Sequence, residues 1–451
     1  MMHRRELLQV GSSGVLGLPL SAVFSASSRA AVKQSQVKSV VLVFLTGGGS
    51  HLDTFDPKPE QVDIRGEFTP IDTRIPGVQF TEHLPLLADR SNQLAIVRSM
   101  AHRDNRHLSG THHTLTGSIQ PFRGNANEDK ELDRRDWPSY GSVLARFQPK
   151  LGMPSQVTLP NPLIEGPLTW PGQHAGFLGP KYDPFQLNDD LNQEDFEISG
   201  LRLQEGLSIS RLENQHQLLR ELNGQQRSLD QLARDRQFTS QQESAVSMLT
   251  SATMTQAFQL QQESTADRER YGRNKLGQTL LLARRLVEHE VPVIQCNMGI
   301  VQTWDTHTDN FPKLKDRLLP QLDQSASALL DDLGDRNLLD QTLVIIVGEF
   351  GRTPRISSLP STPGKPGRDH WAWGYTAVFA GGGVQGGQVI GKTDRIGAYP
   401  VTTPYSPSDL GATIYDLLGI DTTAEVHDRF GRPLRLNEGE VMQVLFNAST
   451  S

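Results

Sequence analysis

Cysteine is nearly absent from this sequence: Cys296 is the only one in 451 residues. A single cysteine cannot form an intramolecular disulfide, and it excludes zinc or iron–sulfur sites built from several cysteines. The sequence also lacks a long basic cluster, and its formal net charge is −7. Because nucleic-acid phosphates are bound by stripes of lysine and arginine, these features argue against nucleic acid as a partner.

Long apolar runs are missing as well, and the one near the N-terminus is interrupted. Arg4 and Arg5 precede a stretch rich in Gly, Leu, Val and Ala that ends near Ala26 and is broken by glycines and Pro19. Paired arginines before a short apolar stretch are typical of a twin-arginine signal peptide, whereas a stable transmembrane anchor needs about 20 apolar residues. We therefore expect residues 1–30 to be a signal peptide and the mature protein to be periplasmic or secreted by the twin-arginine route. The alternative is a poorly ordered cytoplasmic terminus.

Residues 31–446 have the pattern of one large α/β domain. Two near-continuous β-branched and apolar runs, at 38–45 and Thr342–Val347, have the composition of strands buried on both faces. Shorter runs predict strands at 94–97, Val293–Asn297 and Tyr375–Ala380, and helical patterns occupy 276–290, 314–333 and 406–418. Strands that alternate with helices predict a mostly parallel central sheet with helices on both faces.

Residues 187–270 differ from the rest of the chain. They are rich in Gln, Glu, Arg and Leu and nearly free of β-branched runs, and leucines such as Leu212 and Leu219 recur close to helical spacing. This composition predicts a helical insertion packed beside the sheet, with a lid over a substrate as the alternative. Residues 60–77 and 104–136 are polar and are predicted to be loops.

Histidine and carboxylate side chains concentrate after the predicted strands. Ligands of parallel α/β sheets bind in loops at the C-terminal ends of the strands. Imidazole and carboxylate groups together suit a divalent transition metal, so these loops could hold one or two ions. A histidine or aspartate standing alone is more often a hydrogen-bonded structural residue, but clustering favours a site. The residues concerned are His51, Asp53, His102, His107, His112, His113, Asp305, His307, Glu349, Asp369 and His370.

A glycine-rich segment at 386–393, Gly-Gly-Gln-Val-Ile-Gly-Lys-Thr, matches the phosphate-loop pattern. That motif requires a helix directly after the glycines, where backbone N–H groups point at phosphate. Residues 394–400 contain Gly and Pro and show no helical period. We interpret the glycines as shaping a hairpin, with nucleotide binding as the alternative.

Several segments in fixed order resemble a bacterial secreted family known as domain of unknown function 1501, grouped with sulfatase-like proteins of the alkaline-phosphatase-like superfamily. The resemblance extends from the first strand to about Asp421, and its segments are 46–59, 98–104, 176–185, 304–307, 348–354 and 367–371. It implies an α/β core in which a nucleophile at a helix start attacks phosphorus or sulfur. It also implies divalent metal ions such as zinc, manganese or calcium, held by Asp and His from neighbouring loops.

The sequence departs from the superfamily pattern at three places. The sulfatase nucleophile stands ten residues before the glycine of a Thr-Gly pair; with Thr116-Gly117 as that pair, the position is His107, where Ser, Thr or a modified Cys is expected. Glu349-Phe350 replaces an Asp-His ligand pair, and glycines at 47–49 replace a ligating Asp. His370 does fall where a ligand is expected, and Asp305 with His307 can replace the ligands of another loop.

These observations predict a metal-dependent hydrolase or transferase of phosphate or sulfate esters, acting on a small molecule or polysaccharide. The alternative is a non-catalytic envelope or carbohydrate-binding protein that kept the fold but lost the nucleophile. His107, Asp305, His307, Glu349 and His370 are expected to share one pocket at the C-terminal edge of the sheet. The residues predicted to act in catalysis are His107, Arg352 and Arg368, with the arginines clamping an anion. The residues predicted to bind metal are Asp305, His307, Glu349 and His370. Supporting or alternative roles are predicted for His51, Asp53, His102 and Asp369.

Overall fold

The computed structural model describes residues 37–121, 131–150, 152–193, 196 and 251–447. Along these residues the strands are β1 (Ser39–Phe44), β2 (Pro70–Asp72), β3 (Gln79–Thr81), β4 (Ala95–Met100), β5 (Gln156–Leu159), β6 (Ile164–Glu165), β7 (Leu168–Thr169), β8 (Phe185–Gln186), β9 (Val293–Asn297), β10 (Thr342–Val347), β11 (Gly351–Arg352), β12 (His370–Trp371), β13 (Tyr375–Ala380), β14 (Gln388–Ile390), β15 (Glu425–His427) and β16 (Pro433–Arg435). The α-helices are α1 (Val62–Arg65), α2 (Pro85–Asp89), α3 (His107–Thr116), α4 (Tyr140–Phe147), α5 (Ala252–Ala257), α6 (Thr265–Tyr271), α7 (Lys275–Glu288), α8 (Asn310–Lys313), α9 (Leu319–Asp335) and α10 (Pro407–Leu417), and a π-helical turn at Leu314–Leu318 joins α8 to α9.

The central sheet has eight strands in the order β14-β4-β13-β10-β1-β9-β5-β8. Its neighbouring strands pair in parallel, except that β13 is antiparallel to both β10 and β4. Because β13 reverses direction between them, β4 runs the same way as β10, β1 and β9. The predicted, mostly parallel sheet is confirmed, and the C-terminal ends of β1, β4, β9 and β10 lie at the same edge.

The central strand β1 is buried on both faces. Val41 and Val43 belong to one hydrophobic core, which also contains residues of α7 and α9. Val40 and Leu42 belong to the other, with residues of α3, α4 and α10. Because side chains alternate along a strand, the apolar run in β1 supplies both cores at once. Helices therefore cover both faces of the sheet, as predicted.

The prediction of loops at 60–77 and 104–136 was wrong in part. The first stretch contains α1 and β2, and the second contains α3, in which every residue is buried. The sequence of α3, His-Leu-Ser-Gly-Thr-His-His-Thr-Leu-Thr, has low helix propensity. Packing between the sheet and α10, which the local pattern does not reveal, stabilises this helix. His107, His112 and His113 are consequently helical rather than loop residues.

The glycine-rich segment at 386–393 does not form a phosphate loop, and its end enters a hairpin. Its centre is β14, an edge strand that pairs in parallel with β4. The described residues that follow it up to α10 contain no helix. Thr393 pairs with Pro400 in an antiparallel bridge, and the N–H groups of Asp394 and Val401 donate to the carbonyl oxygens of Tyr399 and Lys392. The segment therefore leads into a hairpin, as interpreted, and the motif lacks the helix that phosphate binding requires.

Two sequence-based predictions fall mainly outside the described residues. The signal peptide at 1–30 lies wholly outside them. The insertion at 187–270 lies largely outside them, and its described end carries α5 and α6. Both remain predictions. Among the described helices, none has the length and apolar character needed to cross a membrane.

Candidate metal centre

The loops at the C-terminal edge of the sheet bring imidazole and carboxylate groups together. His107 is the first residue of α3, which follows β4. Asp305 and His307 follow β9, and His370 opens β12. Strand β11 follows β10 in the chain and pairs with β12. In this pairing His370 lies opposite Arg352. Residues from three widely separated parts of the chain thus reach one place.

Asp305 is the centre of this cluster. Its Oδ2 atom lies 3.3 Å from Nε2 of His107. Its Oδ1 atom lies 3.0 Å from Nε2 of His307 and 3.2 Å from Nε2 of His370. The Nε2 atoms of His307 and His370 are 2.9 Å apart. All three imidazoles therefore direct the same nitrogen at one carboxylate.

Each imidazole is held in place through its other nitrogen. Carboxylate and carbonyl oxygens only accept hydrogen bonds, so in each ring Nδ1 carries the hydrogen and the neutral ring keeps a lone pair at Nε2. The acceptors, each 2.8 Å from Nδ1, are Oε1 of Glu349 for His107, Oδ1 of Asp369 for His307 and the Asn105 carbonyl oxygen for His370. Three Nε2 atoms and a carboxylate converge, and this arrangement requires positive charge, either a proton on an imidazole or a metal ion.

The titration behaviour of the cluster reflects this requirement. Burial alone would lower the pKa of His107, but the carboxylates of Asp305 and Glu349 outweigh it and raise the pKa to about 9. Burial would raise the pKa of Asp305, but the three histidines and Arg352 hold it well below its usual range. A proton on His107 or a metal ion can supply the positive charge, and the two compete.

Arg352 lies beside Asp305 and has no N–H group left for a substrate. Its side chain is fully buried, and its Nη1 atom is 2.5 Å from Oδ1 of Asp305. The remaining N–H groups donate to carbonyl oxygens of residues 47–48, Trp304 and Arg368. These contacts do not support the predicted role of Arg352 as an anion clamp. Instead, Arg352 ties Asp305 to the neighbouring loops.

Arg368 and Asp53 form a buried ion pair outside the cluster. Nε and Nη2 of Arg368 lie 2.8 and 2.9 Å from the two carboxylate oxygens of Asp53, and both side chains are fully buried. The other N–H groups of Arg368 donate to the carbonyl oxygens of Ile64, Thr353 and Pro354. Because every guanidinium donor is engaged and both Asp53 oxygens bind Arg368, these contacts do not support the predicted anion clamp or a metal-binding role for Asp53.

Glu349 was predicted to bind metal but lies behind His107. Its Oε1 atom contacts Nδ1 of His107, and its Oε2 atom accepts a hydrogen bond from the Gly47 N–H at 3.1 Å. Neither oxygen faces Asp305. One imidazole ring separates its carboxylate from the centre of the cluster, and these contacts do not support the predicted ligand role.

The other predicted histidines bind elsewhere. His51 Nε2 lies 2.8 Å from the Gly397 carbonyl oxygen, and His102 Nε2 lies 2.6 Å from the Glu349 carbonyl oxygen. Burial lowers the pKa of both residues. The α3 residues His112, which contacts the Ser118 carbonyl oxygen, and His113, which contacts the Ser408 hydroxyl, also make their hydrogen bonds outside the cluster.

Sequence reasoning did not assign three residues that shape the cluster. Asn105 accepts from Nδ1 of His370 through its backbone carbonyl oxygen, and its side-chain Oδ1 accepts from the Ala372 N–H at 2.6 Å. Trp170 stacks on His107 with ring centroids 5.3 Å apart, and Phe350 lies 5.0 Å from His107 and 4.7 Å from His370. Both aromatic side chains are fully buried. Trp170 follows β7, a two-residue strand outside the central sheet, so the sequence pattern did not indicate that Trp170 lies at the cluster.

The glycine loop after β1 leaves no room for a side chain. Gly48 has φ +81°, and a Cβ atom there would lie 2.6 Å from Phe350, which packs against His107 and His370. We expect Gly48→Ala to lower the free energy of unfolding by about 2–4 kcal/mol, because backbone strain adds to overpacking. Gly77→Ala is the control: its φ of +75° is similar, but nothing lies within 4 Å, so only the strain, about 1 kcal/mol, should appear. Urea unfolding measures both, and equal losses would contradict the packing explanation.

The solved structures found to be similar to this chain have low sequence identity to it. A protein in the alkaline phosphatase superfamily from Vibrio parahaemolyticus is 12% identical with a TM-score of 0.39, over 96% of this chain and 80% of that one. The PsFucS1 sulfatase from Pseudoalteromonas sp. is 11% identical with a TM-score of 0.38, over 93% and 72%. The lipoteichoic acid synthase LtaP from Listeria monocytogenes is 10% identical with a TM-score of 0.37, over 92% and 81%.

Comparison with protein families gives a more definite result. No curated protein matches the chain. A family model, described as "Protein of unknown function (DUF1501)", matches residues 37–446. That range contains the central sheet, the helices on both of its faces and the whole cluster around Asp305. The family resemblance found in the sequence segments is confirmed, and the chain belongs to the DUF1501 family.

Proposed function

We propose that this protein is a metal-dependent hydrolase or transferase of phosphate or sulfate esters, with an ion bound by Nε2 of His107, His307 and His370 and by Asp305. The observation that carries the proposal is the convergence of three Nε2 atoms on one carboxylate, each ring being held by an acceptor at Nδ1. Histidine ligands of metals characteristically donate their other N–H group to such acceptors.

The spacing of the donor atoms suits a single ion. Nε2 of His307 and Nε2 of His370 lie 2.9 Å apart, and each of the three Nε2 atoms lies 3.0–3.3 Å from an Asp305 oxygen. Ligands held about 2.0–2.2 Å from a zinc-sized ion at tetrahedral or octahedral angles lie about 2.9–3.5 Å from one another. Nε2 of His107 is also buried without a hydrogen-bond partner among the described residues. A cation would satisfy it.

The donor set favours a transition metal. Calcium prefers six to eight oxygen ligands, whereas imidazole nitrogen suits zinc and similar ions. We therefore propose zinc or manganese rather than calcium. When bound, such an ion polarises the ester and stabilises the negative charge that develops on its oxygens.

The exposure of the ligands indicates the side from which a substrate enters. The His307 and His370 side chains are 30% and 22% exposed, whereas His107 is 8% exposed. A substrate therefore approaches beside His307 and His370. Because both ring nitrogens of His107 face carboxylates, we assign it as a ligand rather than as the nucleophile. With the predicted export, an ester outside the cytoplasm, of a small molecule or a polysaccharide, is the proposed substrate.

Metal analysis and ester assays test this proposal. We expect tag-free protein to bind zinc or manganese in a stoichiometric amount and to hydrolyse p-nitrophenyl phosphate or p-nitrophenyl sulfate only when metal is present. His370→Ala should lower metal content and activity together. His427→Ala, at an exposed histidine of β15, is the matched control and should change neither. Protein that takes up no metal would refute the proposal, and metal without activity towards any ester would favour the non-catalytic binding protein.

A further inference from the structure

We propose that Glu349 is a positioning residue, whose buried carboxylate fixes the tautomer and orientation of His107 so that Nε2 is presented to the ion. This assignment rests on the proposed metal site. It gives Glu349 a role different from the ligand role that the sequence predicted, and it makes the end of the central strands part of the site.

Glu349 is itself held from two sides. Its side chain is 0% exposed. One carboxylate oxygen accepts from Nδ1 of His107 at 2.8 Å and the other from the Gly47 N–H at 3.1 Å. Gly47 follows β1 and Glu349 follows β10, and these strands are paired along their full length. The carboxylate therefore cannot rotate without losing a hydrogen bond, and the centre of the sheet determines its position.

The His107 ring is held by aromatic side chains as well as at Nδ1. Trp170 stacks on it, and Phe350, the residue after Glu349, packs against it. The end of β10 and the helix α3 approach closely here, since a Cβ atom on Gly110 would lie 3.3 Å from Cβ of Glu349. With Nδ1 engaged and two aromatic rings packed against the imidazole, Nε2 is the ring nitrogen left to bind an ion.

Asp369 provides an internal comparison. It makes the same contact, 2.8 Å to Nδ1 of His307, but its side chain is 52% exposed. Water can replace a hydrogen-bond acceptor at an exposed site, but it cannot reach the fully buried Glu349. The carboxylate behind His107 should therefore matter much more than the carboxylate behind His307.

Glu349→Gln and Asp369→Asn make the same chemical change at these two positions. The amide of Glu349→Gln must turn its NH₂ group towards either the Gly47 N–H or the His107 Nδ1–H. Both of these groups are donors, so one of the two hydrogen bonds is lost. Zinc titration of metal-depleted protein should show affinity about 10–100-fold weaker for Glu349→Gln, the range typical of residues that orient ligands. Asp369→Asn should stay within about threefold of the parent protein, since water substitutes for the lost acceptor. Equal effects of the two changes would overturn the assignment.

A crystal structure of the zinc-loaded parent protein tests the same assignment without any substitution. We expect Nε2 of His107 on the zinc and Glu349 still on Nδ1. A Glu349 oxygen or His107 Nδ1 bound to zinc would overturn it. Parent protein that takes up no zinc or manganese refutes the proposed metal site and this assignment together, whereas parent protein that binds zinc while the two variants behave alike refutes only the role of Glu349.

Discussion

Asp305→Asn should abolish metal binding and ester hydrolysis while leaving the chain folded. Asp305 is the group that contacts Nε2 of all three histidines, and it supplies the negative charge that offsets the ion. The amide keeps the shape of the side chain but not its charge. We expect zinc affinity to fall by more than about 100-fold, beyond the range for an orienting residue, and kcat/KM by at least about 10³-fold if the ion contributes several kcal/mol.

Zinc competition with a chromophoric chelator and p-nitrophenyl ester assays measure these losses. Asp309→Asn is the matched control, because Asp309 lies in the same loop but pairs with Lys365 at the surface, at 3.1 Å, and should change neither quantity. Urea unfolding checks that Asp305→Asn remains folded, since it leaves the buried Arg352 without its carboxylate. If folded Asp305→Asn bound zinc as tightly as the parent protein, the proposed ligand set would be wrong.

Arg368→Met should lower the free energy of unfolding by about 3–5 kcal/mol, because it leaves the buried Asp53 carboxylate without its cation. Both side chains of this pair are 0% exposed, and the pair is bidentate. The substitution should also loosen the loop that carries His370. The backbone N–H of Arg368 donates to the Thr306 carbonyl oxygen at 3.1 Å, and this hydrogen bond connects the segment carrying His370 to the segment carrying Asp305. Zinc affinity should therefore fall together with stability.

Urea unfolding of three variants separates burial from charge. Arg74→Met removes an arginine from an exposed pair with Asp89, whose side chains are 65% and 56% exposed, and should cost at most about 1 kcal/mol. The double change Asp53→Asn with Arg368→Met should recover part of the loss, since no buried charge then remains unpaired. A loss for Arg368→Met no greater than for Arg74→Met would show that the pair does not stabilise the fold.

The strands of the central sheet could be predicted closely, because strands buried on both faces consist of continuous apolar and β-branched residues. The sequence limits for β9, β10 and β13 coincide with the observed strands. The direction of β13 could not be predicted, since an apolar run looks the same whichever way the strand runs. The helix α3 was missed for the opposite reason: its Gly, Ser, Thr and His residues favour no helix, and contacts with other parts of the chain stabilise it.

The arginines show a similar limit at the site. Arg352 and Arg368 stand near metal-ligand types in the sequence, as an anion-binding residue would. Whether their N–H groups are free depends on carbonyl oxygens of distant loops. Arg352 donates to the carbonyl oxygens of residues 47–48, and Arg368 donates to that of Ile64. The amino-acid sequence does not show which backbone carbonyl oxygens will accept from a side chain. The full engagement of both guanidinium groups is therefore visible only in the folded structure.

The sequence by itself determined the α/β architecture, the family and the chemical types of side chain that gather at the C-terminal edge of the sheet. These follow from the period of apolar residues and from which residues come after each strand. Only the tertiary structure decided that Nε2 of His107 faces Asp305 while Glu349 holds Nδ1. That choice depends on a 2.8 Å contact between residues 242 positions apart. Hydrogen-bond geometry is fixed to within tenths of an ångström by packing from all sides, whereas a sequence pattern specifies only which groups lie at the same edge.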